Sequence, residues 1–382
     1  MRKPELVLVL DVGTTNLKVF LYDAHLAIIA QASQPNPKTR PQPGWVEQDP
    51  GYVFTTACQL LEQVAEEHLD KIGAIGLTNQ RESVVIWDKL SGQPLYPIVV
   101  WEDQRAAGDC SQLAKRAEVM AQIRQRTGLK LNAYFSAPKL RWLLNGVADA
   151  ASLKSLAFGT LDSWLLFQLT AQHLTDYTNA ARTLLFNIHT KLWDRSLLDL
   201  FGIPPGILPQ IKPSFSHFGT TRLLGKPLPI LGVAGDQQAS LYAAGHTPGT
   251  LKVTYGTGIF PMKIINGFEL RDKVSTTLAI GSHAHPVMAF ETKVENAAAR
   301  TTPLLDQPES LANMVRELAG ESYTALKPLL DGTESELTID GGISQNAALA
   351  PEIARLSGLN VRHQLHPDGA PLGIAKLIFD NH

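Results

Sequence analysis

An aspartate in the middle of the chain stands beside glycine turns, a combination that can move a proton next to an anion. Asp236 follows an apolar run at residues 230–234 and precedes a run of small residues, after which residues 255–258 read Tyr-Gly-Thr-Gly. Glycine lets backbone N–H groups approach an anionic ligand closely, and a carboxylate beside such a turn can accept a proton or bind a cation. Residues 230–260 therefore predict a strand, a helix and a second strand that together present this carboxylate.

A second candidate turn lies near the start of the chain. Residues 5–23 predict two β-strands joined by a Gly-Thr-Thr turn, with Asp11 at the end of the first strand. The turn would present the N–H group of Gly13 and the hydroxyl groups of Thr14 and Thr15. A plain hairpin with a hydrophilic turn explains the same residues and stays open as an alternative.

A charged pair and an aromatic residue follow two further apolar runs. Arg81 and Glu82 come just after a predicted buried strand at residues 72–77, where open α/β sheets bind ligands. Trp101 ends the run at residues 98–101 and is suited to form one wall of a polar pocket. A surface ion pair and a core tryptophan are the alternative interpretations of these residues.

A third glycine turn occurs near the end of the chain. Residues 337–340 predict a short strand that runs into Gly341 and Gly342, with a helix after them. A strand that enters a glycine turn before a helix is a natural site for phosphate or adenosine. The same turn also closes ordinary loops, so the signal is weak by itself.

The elements that would position these turns alternate between helix and strand. Residues 51–69 carry apolar side chains at helical spacing and predict an amphipathic helix, and residues 311–330 predict another. Short apolar runs at residues 72–77, 84–88 and 98–101 predict strands between them. This alternation favours an α/β fold.

Composition limits the function classes. The chain has 382 residues, which predicts two domains, and its 44% hydrophobic and 18% charged residues are typical of a globular protein. The net charge of −2 gives no signal for nucleic acid or a membrane surface, and two cysteines suit a reducing cytosol. The apolar run at residues 6–10 is too short for a signal segment or a membrane span. We therefore expect a cytoplasmic protein without nucleic-acid or membrane partners.

Together, the motifs and their order resemble the FGGY carbohydrate kinase family. The motifs that carry the resemblance are DVGTT at 11–15, TNQRES at 78–83, VVWEDQR at 99–105, YFSAPKLRW at 134–142, FGTLDSW at 158–164, DYTNAARTLLFNIHT at 176–190, GVAGDQQAS at 232–240, YGTGIF at 255–260 and DGGISQN at 340–346. The resemblance implies an α/β fold in which two RNase H-like domains of the actin-like ATPase type flank a central cleft. Residues 1–244 would form the N-terminal domain on the polyol side, and residues 245–382 a shortened C-terminal domain on the nucleotide side.

The same resemblance implies ATP-dependent phosphorylation of a small polyol, with glycerol converted to sn-glycerol 3-phosphate as the expected reaction. Asp236 would be the general base, and Mg²⁺ would be held near Asp11 and Asp236, largely through water. The polyol would be bound by Arg81, Glu82, Trp101, Tyr134, Asp236, Gln237 and Phe260. ATP would be bound by Gly13, Thr14, Thr15, Lys18, Gly256, Thr257, Gly342 and Asn346. A kinase for a pentulose or another sugar and a catalytically weak polyol-binding protein are the alternatives, and a homodimer is compatible with each of them.

The sequence departs from the family pattern at three places. Val12 stands where the family usually has glutamine, and Lys18 stands where an arginine is expected. A lysine can still meet a phosphate as a point charge, although it lacks the bidentate fork of arginine. The segment between Phe290 and Leu311 is shorter than the family pattern, which predicts a reduced nucleotide side.

Overall fold

Two six-stranded sheets form the frame of the molecule in this computed structural model, which describes residues 3–146, 155–295, 297–304 and 306–382. The strands are Leu6–Val12 (β1), Asn16–Asp23 (β2), Ile28–Pro35 (β3), Glu47–Gln48 (β4), Ile72–Asn79 (β5), Val84–Asp88 (β6), Ile98–Val99 (β7), Leu156–Thr160 (β8), Leu174–Asp176 (β9), Phe186–Asn187 (β10), Leu192–Trp193 (β11), Gln210–Lys212 (β12), Thr220–Thr221 (β13), Leu228–Gly235 (β14), Leu251–Tyr255 (β15), Ile259–Ile265 (β16), Ser275–Ile280 (β17), Pro286–Glu291 (β18), Glu336–Asp340 (β19) and Asn360–His363 (β20).

Helices cover the sheets and connect their strands. They are Pro50–Ala65 (α1), Ala107–Leu113 (α2), Ala117–Thr127 (α3), Ser136–Gly146 (α4), Leu161–Thr170 (α5), Tyr177–Ala180 (α6), Arg195–Phe201 (α7), Asp236–Ala244 (α8), Ala297–Thr301 (α9), Pro308–Leu326 (α10), Leu349–Ser357 (α11) and Gly369–Asp380 (α12). None of the helices in the described ranges is both long enough and apolar enough to cross a membrane.

The two large sheets share one strand pattern. The first has the order β13-β14-β5-β1-β2-β3, in which β1, β2 and β3 are antiparallel and β5 and β14 continue parallel to β1. The second has the order β17-β18-β16-β15-β19-β20, in which β15, β16 and β18 are antiparallel and β19 and β20 continue parallel to β15. Three antiparallel strands followed by two parallel ones, present twice, confirm the expected pair of RNase H-like sheets.

Strand β1 is apolar from Leu6 to Leu10, and helices cover both faces of the first sheet. Leu8 and Leu10 pack into a core that includes α1, whereas Val7 and Val9 point the other way, into a core that includes α12. Successive side chains of a strand face opposite sides, so a strand buried on both sides reads as a continuous apolar run.

Helix α12, near the end of the chain, packs directly on the first sheet. A Cβ atom on Gly76 would lie 2.2 Å from Cγ2 of Ile374, and one on Gly232 would lie 2.9 Å from Cγ1 of Ile378. Glycine at these two strand positions is therefore what lets the helix approach. The same helix packs against α8, which also contacts β15 and β17 of the second sheet. Helices α8 and α12 thus lie between the sheets and position the start of α8.

The segment between β5 and β14 contains helices α2 to α7 and strands β6, β7 and β8, which form a smaller antiparallel sheet with β4, in the order β4-β7-β6-β8. It touches the second sheet at Gly128, whose carbonyl accepts a hydrogen bond from the N–H of Thr276 at 3.0 Å. Arg124 donates to the carbonyls of Gly128, Arg271 and Val274 at 2.6, 2.7 and 2.7 Å. The hydrogen bonds to Thr276, Arg271 and Val274 join this segment to the second half of the chain.

Candidate active site

A cleft of about 370 Å³ lies between the two sheets. From the predicted set, it is lined by Asp11, Gly13, Thr14, Thr15, Lys18, Arg81, Glu82, Trp101, Tyr134, Asp236, Gln237, Gly256, Thr257, Phe260 and Gly342. Asn346 lies apart from these residues, in a neighbouring cavity of about 420 Å³ that shares Gly256, Ala298 and Gly342 with the cleft. The structure therefore brings all the predicted residues except Asn346 to one cleft.

Asp236 is the first residue of α8 and stands at the end of β14. Its Oδ1 accepts the N–H of Gln237 at 2.7 Å and lies 3.3 Å from Nε of Arg81, and 29% of the side chain is exposed. Burial raises the pKa of Asp236 above its usual value, Arg81 opposes the shift, and Glu82 adds to it. A carboxylate with a raised pKa that still faces an open cleft can accept a proton from a bound ligand.

Arg81 and Glu82 belong to a buried network with Glu291, Gln238 and Arg182, three residues that the sequence did not single out. Nη1 and Nη2 of Arg81 donate to the two oxygens of Glu291 at 2.7 and 2.9 Å, and Nη1 also donates to Oε1 of Gln238 at 3.1 Å. Arg182 donates to Glu82 at 2.6 Å and to Glu291 at 3.0 Å. Burial alone would raise the pKa of Glu291, but the guanidinium groups of Arg182 and Arg81 outweigh it and lower the pKa to about 2.

The backbone of Glu82 adopts a left-handed conformation, with φ of 62°. Such a conformation is disfavoured for a residue with a Cβ atom, so it persists only where the surroundings hold it. The carbonyl of Glu82 accepts a hydrogen bond from Oγ of Ser136 at 3.1 Å, and its carboxylate is bound by Arg182. Strain of this kind, at a residue that lines the cleft, is typical of a functional site.

Aromatic side chains form the wall of the cleft beside the charged network. The rings of Trp101 and Tyr134 meet edge to face with centroids 5.5 Å apart, and the guanidinium of Arg81 lies 6.0 Å from the ring centre of Phe260. Nε1 of Trp101 donates to Oγ1 of Thr14 at 2.8 Å. Rings held by one another and by a hydrogen bond give a rigid surface suited to a small carbon skeleton.

Two of the three predicted glycine turns use a glycine N–H group internally. Gly13 donates to the carbonyl of Asn16 at 3.0 Å, and Gly256 donates to the carbonyl of Gly258 at 2.9 Å. These two hydrogen bonds close the turns in this structure. The hydroxyl groups at the turns, such as that of Thr257, are the groups that line the cleft beside them.

Lys18 lines the cleft, but its ammonium group is already paired with Asp368. The two residues are far apart in sequence, and the pair joins β2 of the first sheet to the turn before α12. A phosphate at this position would have to share the lysine with the aspartate. The lysine is therefore placed for a phosphate contact, although it is not free in this structure.

Carboxylates at the cleft suit a hydrated cation better than a cage of protein ligands. Burial raises the pKa of Asp11 to about 7, Lys18 opposes the shift, and Asp368 and Asp236 add to it. Oδ2 of Asp340 accepts from Ser240, while its buried Oδ1 has no hydrogen-bond partner among the residues that the structure describes. Within the described ranges, no three His, Cys, Asp or Glu side chains form a group that could hold a metal ion. Mg²⁺ keeps several waters and needs few protein ligands, so the residues present fit it.

A buried lysine supports the floor of the cleft. Nζ of Lys252 donates to Oε1 of Gln237 at 2.6 Å and to Oγ1 of Thr254 at 2.5 Å. Burial lowers the pKa of Lys252 to about 8, while Asp340 and Asp236 oppose the shift. Since Oε1 of Gln237 is occupied by the lysine, the amide NH₂ is the group that remains to meet a ligand.

Sequence reasoning missed Arg182, Lys252, Glu291 and Asp340 as site residues. Lys252 could have been noticed because it interrupts an apolar strand. Asp340 could have been noticed because it precedes a glycine turn, as Asp11 does. Glu291 also ends an apolar strand. Arg182 lies in the motif at residues 176–190, but sequence reasoning assigned it no role of its own.

The neighbouring cavity that contains Asn346 is mainly apolar. Tyr255, Leu311, Val315 and Ile343 line it, and it shares three lining residues with the cleft. An apolar slot with a single amide at its edge is suited to a flat heterocycle.

Comparison with known proteins identifies relatives along most of the chain. The sequence pattern of the FGGY family of carbohydrate kinases, N-terminal domain, matches residues 6–243. The glycerol kinase of Polaromonas sp. is 39% identical over an alignment 407 residues long, gaps included. The alignment covers 97% of this chain and 81% of that protein. The glycerol kinase of Acidovorax ebreus is 38% identical over 403 residues, which cover 96% and 80%. The crystal structure of Plasmodium falciparum glycerol kinase with ADP matches with a TM-score of 0.88 at 25% identity, covering 97% of this chain and 88% of that one.

Proposed function

Because the chain belongs to the FGGY family of carbohydrate kinases, we propose that it transfers the γ-phosphoryl group of ATP to a terminal hydroxyl of glycerol, forming sn-glycerol 3-phosphate. The observation that carries the proposal is the position of Asp236, which shares one cleft with an aromatic and charged wall and with two glycine turns. Two relatives at 39% and 38% identity are named glycerol kinase, which supports glycerol as the acceptor.

The acceptor binds between charged groups on one side and aromatic rings on the other. The residues proposed to contact it are Arg81, Glu82, Trp101, Tyr134, Asp236, Gln237 and Phe260. The buried ion pairs hold the polar groups in place before the ligand arrives, so little conformational entropy of the side chains is lost on binding. Because Trp101 and Phe260 narrow the cleft, a short triol fits this site better than a longer ketose.

Asp236 acts as the general base of the reaction. Its carboxylate accepts the proton of the terminal hydroxyl while the hydroxyl oxygen attacks the γ-phosphorus, and the bond to the bridging oxygen breaks to release ADP. Burial raises the pKa of Asp236, which makes it a better proton acceptor. Nε of Arg81, 3.3 Å away, keeps the carboxylate oriented toward the cleft.

The nucleotide lies across the opposite part of the cleft and the neighbouring cavity. The residues proposed to bind it are Gly13, Thr14, Thr15, Lys18, Gly256, Thr257, Gly342 and Asn346. Mg²⁺, held near Asp11 and Asp236 mainly through water, would neutralise negative charge on the phosphates. The raised pKa of Asp11, about 7, supports this assignment, because a nearby cation stabilises the buried carboxylate.

We also propose that residues 1–244 and 245–382 form the polyol-side and nucleotide-side domains. This division is supported by α8, which ends at Ala244, and by the second sheet, whose first strand begins at Leu251. Helix α12 belongs to the second segment but packs on the first sheet, so it ties the two domains together.

A coupled assay of ADP release with a panel of acceptors tests the proposal. The panel contains glycerol, a pentulose, a hexulose and longer polyols, and a reaction without acceptor measures background ATP hydrolysis. We expect the highest kcat/KM with glycerol. A higher value with the pentulose would assign the chain to a sugar kinase activity instead. No turnover with any acceptor, while calorimetry still detects glycerol binding, would identify a polyol-binding protein without kinase activity.

A further inference from the structure

Glu291 connects the second sheet to the centre of the proposed acceptor site. It is the last residue of β18, whereas Arg81 and Glu82 follow β5 of the first sheet. Both oxygens of its carboxylate accept hydrogen bonds from guanidinium groups, at 2.7, 2.9 and 3.0 Å, and only 3% of the side chain is exposed. The two sheets therefore meet in a buried ion network directly beside Asp236.

The hydrogen-bond pattern of Arg81 shows what Glu291 does. Two of the five N–H groups of a guanidinium are taken by Glu291 and a third by Gln238. The groups that remain are Nε, 3.3 Å from Oδ1 of Asp236, and one N–H of Nη2. Glu291 thus holds Nη1 and Nη2 of Arg81, whereas Nε lies beside Asp236, the proposed base. Glu291 leaves two donors of Arg81 unbound, Nε and one N–H of Nη2.

Charge balance explains why a second arginine is present. Arg81 and Arg182 carry two positive charges, and Glu82 and Glu291 carry two negative charges, all on side chains that are at most 3% exposed. A buried guanidinium that loses one carboxylate must find another, because an unpaired buried charge is strongly destabilising. For Arg81, the other carboxylates within reach are Asp236 and Glu82, at 3.3 and 3.9 Å.

We propose that Glu291 is a positioning residue for phosphoryl transfer, which holds Arg81 from the opposite side of the cleft and so leaves Asp236 available to the acceptor hydroxyl. The inference rests on the proposed function of Asp236 and adds a residue from the second sheet to the acceptor site. It also means that the site is complete only when the two sheets have the relative position seen here.

Steady-state kinetics of Glu291→Gln tests this proposal. The amide keeps the shape of the side chain but loses its charge, so Arg81 should turn toward Asp236. We expect kcat/KM for the acceptor to fall about 10- to 100-fold, as for the loss of a hydrogen bond to a charged group, with KM for ATP changed by less than about twofold. Glu291→Asp keeps the charge and should recover part of the loss. Glu118→Gln is the matched control, because Glu118 is exposed and pairs with Arg116.

Two further measurements keep the outcome decisive. If Glu291→Gln does not fold, the charge-balanced pair Arg182→Met and Glu291→Gln is measured in its place, and a normal kcat/KM in that protein overturns the proposal. A crystal structure of the folded variant needs no turnover, so it separates this inference from the proposed function. We expect the guanidinium of Arg81 to move closer to Asp236, and an unmoved Arg81 with unchanged acceptor kinetics would show that Glu291 has only a structural role.

Discussion

Nε1 of Trp101 donates a hydrogen bond to Oγ1 of Thr14 at 2.8 Å. The tryptophan belongs to the aromatic wall of the proposed acceptor site, and the threonine belongs to the first glycine turn, on the proposed phosphate side. This hydrogen bond therefore joins the two parts of the cleft. A substitution of either residue should change the KM for both substrates.

Trp101→Phe should weaken this link while it keeps an aromatic wall. A neutral hydrogen bond contributes about 0.5–1.5 kcal/mol, so we expect KM for glycerol and KM for ATP each to rise by about two- to tenfold. Thr14→Ser keeps the hydroxyl group and serves as the control. If Trp101→Phe changed only the KM for glycerol, the hydrogen bond would have no role on the nucleotide side.

Asp236→Asn should separate binding from chemistry. The amide can still face Nε of Arg81 through its oxygen, but it cannot accept the hydroxyl proton. General-base catalysis contributes about 10²- to 10⁴-fold, so kcat should fall by this factor while calorimetry finds glycerol affinity within about threefold of wild type. Asp199→Asn is the control, because Asp199 is exposed and pairs with Arg195. Near-normal turnover of Asp236→Asn would show that another group takes the proton.

The nucleotide side can be tested at Ala298, which lines both the cleft and the neighbouring apolar cavity. Ala298→Phe would fill the space between them, and overpacking of this kind costs about 1–3 kcal/mol. We expect the affinity for ATP to fall by about tenfold or more, with glycerol affinity nearly unchanged, as measured by calorimetry with each ligand. Ala298→Ser changes the volume little and is the control. Equal weakening of both ligands would place adenosine somewhere else.

The local parts of the site could be predicted from the sequence because local patterns determine them. Two β-rich runs around a Gly-Thr-Thr turn gave the β1–β2 hairpin, and a strand, an aspartate and a small-residue run gave β14 and α8 with Asp236 between them. The helix predicted over residues 51–69 is α1, although it ends at Ala65. Each of these features depends on side-chain periodicity and turn chemistry over a few residues.

Contacts between distant residues could not be predicted in this way. Arg81 and Glu291 are 210 positions apart, and Lys18 and Asp368 are 350 apart, so no local pattern records either pair. The sequence suggested a reduced nucleotide side after Phe290, yet the next residue, Glu291, reaches the proposed acceptor site. The role of such a residue becomes visible only when the two sheets are placed together.

The stability of the protein should depend on the pH through Asp162, which lies away from the cleft in α5. Its carboxylate accepts hydrogen bonds from Thr160 and Thr175 at 2.6 and 2.7 Å. Burial, with a contribution from Asp176, raises the pKa of Asp162 from 3.8 to about 7. The folded protein therefore holds this proton more tightly than the unfolded chain does. Folding takes up a proton between these two values, so the contribution of this group to the free energy of unfolding decreases as the pH rises through that window.

Asp162→Asn removes the ionisable group and should therefore remove this part of the pH dependence. Melting temperatures of the wild type and the variant, measured at about pH 5 and about pH 8, give the comparison. We expect the difference between the two proteins to shift in favour of the variant as the pH rises, because only the wild type must then bury a charged carboxylate. Asp199→Asn, at an exposed position, should show no such shift. If the difference in melting temperature between wild type and Asp162→Asn were the same at both pH values, the carboxylate would ionise as easily in the folded protein as in the unfolded chain.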